Sequence, residues 1–406
     1  MDAGKHIYDI YPGTGRKVRS IGDQDRVDQV NKMSKRNKKG YVMKITFLPK
    51  DFIINATGKV NSNIESDFFV RAIRIKNTTP DTVEVSKIVF DIKVKGKIVK
   101  RMVYPSGCLK SLTKKLAERV ALISSSLVQT SQIFLGTEKF WDNENMSTET
   151  ILKPDQETGI LQEHFKILNQ KPVDECAVSV SYLQNGKEKT TICRLPIVKY
   201  ENKNKYIFPL KGAWLAVNNY DNIYSHRQMH SQEFAMDLIQ LSNDFKFYSK
   251  KKTANEDYPG YGKNIHAIAD GEVIDSFNEF PENPPGFGSR LAKLEWDRLK
   301  KKYGFITGLA GNYITLKHPG NEYSFYGHII PGSLTVKKGN LVKQGQIIGR
   351  VGNSGNSDAP HLHFQLMNGP SILTGRGLPC PFTNLKDMMG YPLPFIEVNN
   401  SIVHAG

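Results

Sequence analysis

The segment Gly352-Asn353-Ser354-Gly355-Asn356-Ser357-Asp358-Ala359-Pro360-His361-Leu362-His363-Phe364 decides how this chain is read. A loop of small polar residues runs into a short apolar strand that carries two histidines. In an extended strand positions i and i+2 face the same way, so His361 and His363 can direct both imidazoles toward one point. The Gly and Asn residues of the loop accept positive backbone angles and sharp bends, which suits a rigid delivery of the histidine pair. Upstream, Phe325-Tyr326-Gly327-His328 ends another strand-like run. The stretch Val336 to Gly349 alternates apolar positions around Gly339 and Gly345, the pattern of a hairpin in a small β-barrel.

An acidic partner for the pair is best sought in Phe234-Ala235-Met236-Asp237-Leu238-Ile239, an otherwise apolar run. A buried carboxylate without a partner is costly, and metal coordination would give Asp237 one. A capping or turn role is the plain alternative. His226 and His230 lie shortly before it.

A chain of 406 residues exceeds the size at which one hydrophobic core stops growing, so two domains are expected. Residues 1–40 are basic, polar and unpatterned, and read as an extension. From 41 to 200 short runs rich in Val, Ile, Phe and Tyr are separated by turn residues, which predicts a β-sandwich-like accessory domain. One helix is predicted within it, over Leu109 to Leu127, where Leu112, Leu116, Val120 and Ile123 recur at helical spacing. The polar stretch Glu201-Asn202-Lys203-Asn204-Lys205 serves as the linker, and 206–392 forms the second, mainly β domain. A charged helix is expected there over Ser289 to Lys302.

With 56 Lys and Arg against 40 Asp and Glu, the net charge of +16 favours contact with polyanions, including anionic cell-wall polymer. The basic residues are scattered, with short clusters at 35–39, 250–252 and 300–302, and no aromatic-basic signature accompanies them. Nucleic acid is therefore not an expected partner, and the clusters read as solvated surface. Four cysteines do not make a disulfide framework; Cys176 and Cys193 flank the Asn185-Gly186 turn as diagonal neighbours, open to a bridge or to two buried thiols. No stretch reaches the ~20 apolar residues that span a membrane. The opening Met1-Asp2-Ala3-Gly4-Lys5-His6 leads into polar residues without the apolar stretch of a signal peptide.

From Trp214 to Leu366 the chain resembles the lysostaphin and LytM type of zinc endopeptidases, which cut peptide bonds in bacterial peptidoglycan. The likeness is carried by Tyr326-Gly327-His328, by the hairpin Gly339-Asn340-Leu341-Val342-Lys343-Gln344-Gly345-Gln346, and by Gly352-Asn353-Ser354-Gly355 leading into His361-Leu362-His363. It implies an antiparallel, barrel-like fold of the duplicated hybrid motif type and one zinc ion per chain. It makes Asp237 and His363 metal ligands, and His328 and His361 the catalytic side chains. The segment Ile265-His266-Ala267 matches scaffold.

The family places its first histidine ligand four residues before the aspartate, a position occupied here by Glu233. Relatives that read Gln-x-x-Ala-x-Asp, like Gln232-Glu233-Phe234-Ala235-Met236-Asp237, have a longer spacing. His226 is therefore preferred to His230 as the remaining ligand, with Glu233 third. Two imidazoles and one carboxylate leave a fourth tetrahedral position open, the mark of a catalytic zinc site. The expected activity is hydrolysis of peptidoglycan cross-links or similar Gly- and Ala-rich peptides. The alternative is a non-catalytic member that binds cell-wall peptide or regulates a partner hydrolase. A carrier-domain reading of the hairpin is set aside, since its turn holds no Met-Lys-Met-like element. The resemblance implies an extracellular or envelope location, which the missing leader leaves open.

Overall fold

The computed structural model describes residues 42–125, 128–242, 244–248, 253–285 and 293–406. The extension at 1–40, the lysine clusters at 35–39 and 250–252, and the first residues of the helix expected from Ser289 lie outside them.

Among the described residues, the first half builds a nine-stranded sheet from β1 (Met43–Leu48), β2 (Ile53–Val60), β3 (Asn63–Asn77), β4 (Val83–Val94), β5 (Lys97–Pro105), β6 (Ile151–Leu152), β7 (Glu157–Asn169), β8 (Glu175–Gln184) and β9 (Lys187–Val198). Period-2 burial drives it. In β4 the buried residues run Val83, Val85, then Ile88, Phe90, Ile92. The jump of three falls at a register shift between Val85 and Lys87 opposite β8, so a bulge keeps the apolar set on one face. The β3–β7 and β4–β8 layers close on a shared core in which Phe165 stacks on Phe68 at 5.1 Å and meets Phe90 at 5.7 Å. A short parallel pairing of β2 with β9 joins the two layers. Cys176 is buried and Cys193 half-buried, and no bridge joins them in the structure.

The single helix expected over Leu109 to Leu127 is replaced by two, α1 (Ser106–Ser125) and α2 (Val128–Leu135). Leu109, Leu116 and Val120 line the buried side of α1 at helical spacing. The second helix was hidden by its β-branched and polar composition. It ends at Gly136, whose φ of +70° closes the last turn through a bond from its N–H to the Gln132 carbonyl at 2.6 Å.

The second half contributes β10 (Gly212–Val217), β11 (Met236–Ile239), β12 (Asn264–His266), β13 (Gly271–Phe277), α3 (Lys293–Tyr303), α4 (Phe305–Ala310), β14 (Asn312–His318), β15 (Glu322–Ile329), β16 (Leu341–Val342), β17 (Ile347–Arg350), β18 (Leu362–Met367), β19 (Gly377–Leu378), β20 (Leu385–Asp387) and β21 (Ser401–Ala405). Ten of these strands form an antiparallel sheet in the order β16-β13-β14-β15-β18-β11-β10-β21-β20, with β19 on β18. Its last strand, β21, lies beyond residue 392 and pairs along β10. The fold is mainly β and antiparallel, as expected; the end strands do not pair with each other, so the sheet is open and is barrel-like only in a loose sense. The β12–β17 ribbon covers its face instead: Ile265 and Ile348 pack into one core with Leu238, Leu362 and Phe364. Covering replaces closure as the means of burial. No described helix is long and apolar enough to cross a membrane.

Candidate metal centre

Three neighbouring strands position the polar groups. In the β11–β18 pair Asp237 stands opposite His363, and in the β15–β18 pair Gly327 stands opposite His363. The aspartate, His363 and the end of β15 with His328 therefore meet at one place by register. His328 has a φ of +64°, uncommon for a residue with a Cβ, and strained positions of this kind gather at functional sites. His361 enters from the loop just before β18. The remaining group, His226, sits on no strand. It opens a short 3₁₀ turn, His226–Gln228, inside the long connection from β10 to β11.

One donor atom each from His226, Asp237 and His363 converges so that all lie within 4.8 Å of one another. Nε2 of His226 is 3.7 Å from Oδ2 of Asp237, and Nδ1 of His363 is 3.0 Å from Oδ1. His361 Nε2 approaches the same Oδ1 at 3.5 Å. The rings of His328 and His361 are 4.5 Å apart between centroids. These groups line a cavity of about 690 Å³, whose apolar wall includes Ile133 of α2, Met229 and Ile372. A larger cavity of about 820 Å³ runs beside α1, lined by Lys110, Lys114 and Glu149 among others, and contains no histidine.

The hydrogen bonds fix the tautomers, because a carbonyl can only accept. His226 Nδ1–H donates to the Asn218 carbonyl at 3.0 Å, leaving the Nε2 lone pair toward Asp237. Gln365 gives its amide N–H to the Ser231 carbonyl at 3.1 Å, so its Oε1 accepts from His363 Nε2–H at 2.9 Å. The Nδ1 lone pair of His363 then faces a carboxylate oxygen. Two acceptors pointed at each other are unfavourable unless a cation lies between them, so this donor set fits a metal. Asn218 also donates through Nδ2 to Asp237 Oδ2 at 3.0 Å, orienting the carboxylate.

Burial would raise the Asp237 carboxyl, but the surrounding histidines prevail and hold it well below its usual range. Burial, reinforced by His361 and His363, pushes His328 well below the usual imidazole value. His226 is driven down to about 4, chiefly by burial. His361 is also opposed by burial, yet the adjacent Asp237 carries it upward.

Each residue singled out in the sequence can now be placed. Asp237, His363, His361 and His328 come together, and His226 joins them. His230 is not in the converging group: its ring packs against Gly136, where an added Cβ would lie 2.2 Å from Cδ2. Glu233 instead pairs with Arg71 of β3 at 3.1 Å, both side chains buried. His266 bonds the Gly345 carbonyl at 2.9 Å, as scaffold. Asn218, Ser354 and Gln365 were not recognised from sequence. Gln365 was within reach, since it follows His361 and His363 on the same strand face at i+2.

Residues 257–373 match the profile of Peptidase family M23. Over that segment the chain is thus similar to the M23 peptidases, and the relatives it matches are named as peptidases. Among them is the peptidoglycan DD-endopeptidase ShyA of Vibrio cholerae, 41% identical over 58 residues, or 14% of this chain and 13% of that protein. Lysostaphin of Staphylococcus simulans is 48% identical over 58 residues, covering 14% of this chain and 11% of its own. The solved catalytic domain of lysostaphin from Staphylococcus simulans aligns at 23% identity over 43% of this chain and 87% of that one, with a TM-score of 0.22. The chain spans well under two thirds of the length of the curated relatives it matches. His226 and Asp237 precede the matched segment, so their place in the site comes from geometry alone.

Proposed function

We propose that this protein is a zinc endopeptidase that hydrolyses peptide bonds in peptidoglycan cross-links or similar Gly- and Ala-rich peptides. The observation that carries the reading is the convergence of His226 Nε2, Asp237 and His363 Nδ1, flanked by His328 and His361. Two imidazole nitrogens and a carboxylate oxygen suit zinc with one position left open. Zinc held by these three residues supplies Lewis acidity, lowering the pKa of water toward neutrality and polarising a carbonyl.

The chain's own residues handle the protons. His328 Nδ1–H donates to the Ser354 carbonyl at 2.7 Å, and His361 Nδ1–H to the Ala359 carbonyl at 2.8 Å. Each ring therefore keeps its Nε2 for reaction chemistry. One ring can accept the proton of the attacking water at Nε2, and the other, when protonated at Nε2 as an imidazolium, can donate to the oxygen that gains charge; the accepted proton then passes to the leaving amine. The apolar wall of Ile133, Met229 and Ile372 limits water around the scissile bond and suits a chain of small residues. The excess of positive charge favours approach to anionic wall polymer.

The test is incubation of the purified full chain with isolated peptidoglycan and with oligoglycine and oligoalanine peptides. Released termini are then identified by mass spectrometry, with and without chelator. Cleavage that disappears on chelation and returns with zinc supports the reading. Stable binding of wall fragments without cleavage selects the non-catalytic alternative.

A further inference from the structure

His226 is the one proposed ligand that the C-terminal sheet does not carry, and the groups that hold its loop belong largely to the other half of the chain. Arg71 and Asp67 lie four residues apart on β3, and therefore on one face of that strand. Arg71 Nη1 donates to the Gln228 carbonyl at 2.6 Å, and Nη2 to the Arg227 carbonyl at 3.2 Å and to Glu233 Oε2 at 3.1 Å. Arg227, next to the ligand, donates through Nη1 to the Tyr220 carbonyl at 2.8 Å and pairs through Nη2 with Asp67 Oδ1 at 2.5 Å. Asp67 is held in turn by His164 of β7 at 2.9 Å. All four charged side chains are almost fully enclosed, with Arg227 at 0% and Arg71 at 1% exposure.

The arrangement is crossed: each half contributes one arginine and one carboxylate, and each arginine pairs with the carboxylate of the other half. Both guanidiniums also bear on Phe69, at 5.2 and 5.9 Å from its centroid. Breaking a buried pair leaves an uncompensated charge, so the connection cannot drift without a large cost. Two further ties run to the helical segment. The N–H of His230 donates to the Ile133 carbonyl at 2.7 Å, and Gly136 admits the His230 ring by lacking a Cβ. Glu233 thus occupies the usual histidine position for a reason: it anchors the detour that brings His226 in from further upstream.

We propose that the N-terminal sheet completes the metal site from outside, with Asp67 and Arg71 acting as positioning residues for His226. This rests on the metallopeptidase reading of the site. On this view the N-terminal sheet, from Met43 to Val198, is an integral part of the catalytic unit. Arg71 is the sharper probe because only a planar fork can hold two carbonyls and a carboxylate together; lysine keeps the charge and loses the fork.

The test uses the full chain and cobalt(II) as the probe, titrated in competition with a chromophoric chelator while the visible spectrum reports ligand geometry. Arg71→Lys and Asp67→Asn are compared with wild type, with His226→Ala, and with Phe68→Leu, a core substitution on the same strand that lowers stability without touching the loop. The expected result is a loss of cobalt affinity of roughly 10- to 100-fold in Arg71→Lys and Asp67→Asn. Their spectra should shift toward that of His226→Ala, while Phe68→Leu retains the wild-type spectrum and affinity. If Arg71→Lys and Asp67→Asn bind cobalt as wild type does, or if Phe68→Leu weakens binding equally, the positioning role is wrong and the metal site stands. A wild-type chain that takes up neither cobalt nor zinc overturns both readings.

Discussion

Asp237 and His363 stand directly opposite each other across β11 and β18, with Oδ1 and Nδ1 3.0 Å apart and the far nitrogen of the ring tied to Gln365. The pairing register therefore sets the distance between two donors, and Gln365 sets which nitrogen carries the lone pair. Loss of His363 to Ala should abolish stoichiometric zinc. Gln365→Leu keeps the donors and frees the tautomer, so zinc affinity should fall roughly 10- to 100-fold. Competition titration measures both, and an unchanged affinity in Gln365→Leu would remove the tautomer argument.

The two upstream histidines separate cleanly by site. His226→Ala should lose zinc, because its Nε2 is one of the three converging donors. His230 is enclosed against Gly136 and lies outside that group. His230→Ala should keep stoichiometric zinc while losing on the order of 0.5–3 kcal/mol of stability. Metal analysis of the two purified variants decides it, and zinc lost from His230→Ala but kept by His226→Ala would reverse the assignment.

His328 and His361 should behave differently from the ligands. Their Nδ1–H groups are committed to the carbonyls of Ser354 and Ala359, and neither ring is in the converging donor group. Alanine at either position should retain zinc and lower kcat by about 10²–10⁴-fold, the range for a general acid or base. A variant that loses metal along with activity would count as a ligand instead.

What could be read from the sequence follows from the range of the interactions. The i, i+2 rule places His361 and His363 on one face, and an acid in an apolar run marks Asp237, since both signals are local. The family hairpin and loop point to His328 for the same reason. The support of His226 was not legible, because Arg71 and Asp67 lie more than 150 residues upstream and only tertiary packing brings them to Arg227 and Gln228. The open edge of the sheet was likewise hidden: alternation predicts strands and faces, while closure depends on how β16 and β20 end. The β-branched and polar residues of α2 concealed a helix whose Ile133 now walls the site.

Asp67 gives the accessory sheet a pH signature. Burial raises its carboxyl, but the bond from His164 and the charge of Arg227 outweigh this and hold it below the ordinary 3.8. A carboxyl lowered on folding contributes stability above its unfolded pKa, and that contribution is lost as the pH falls through the folded value. The stability difference between metal-free wild type and Asp67→Asn should therefore be present at about pH 5 and shrink below about pH 4. Urea unfolding at several pH values checks this, and a difference that grows on acidification would contradict it.

Gly355 and Gly311 bring two backbones into direct contact, and that contact carries the support of His328. Gly355 has a φ of +76°, and a Cβ there would fall 2.1 Å from the Gly311 nitrogen and 2.7 Å from the Ala310 carbonyl carbon. Gly311, at +64°, is equally closed by Ser354 and by the nitrogen of Gly355. Around Gly355 the obstructing atoms are all backbone, and around Gly311 they are backbone together with the Ser354 hydroxyl, so neither neighbour swings aside easily. Ser354 is held by its hydroxyl between the Asn312 N–H and the Ile329 carbonyl, at 2.9 and 2.8 Å, and its own carbonyl receives His328 Nδ1–H. Gly355→Ala must therefore move the Ser354 carbonyl as well as strain its own backbone. The left-handed conformation alone costs about 1–2 kcal/mol, and the clash adds to it. The ligands on β11 and β18 are not part of this loop, so zinc affinity should change little while kcat falls and thermal stability drops. Retained kcat in a destabilised Gly355→Ala would show that the Ser354 carbonyl does not orient His328 for catalysis. Loss of zinc would show that the loop supports the ligands as well.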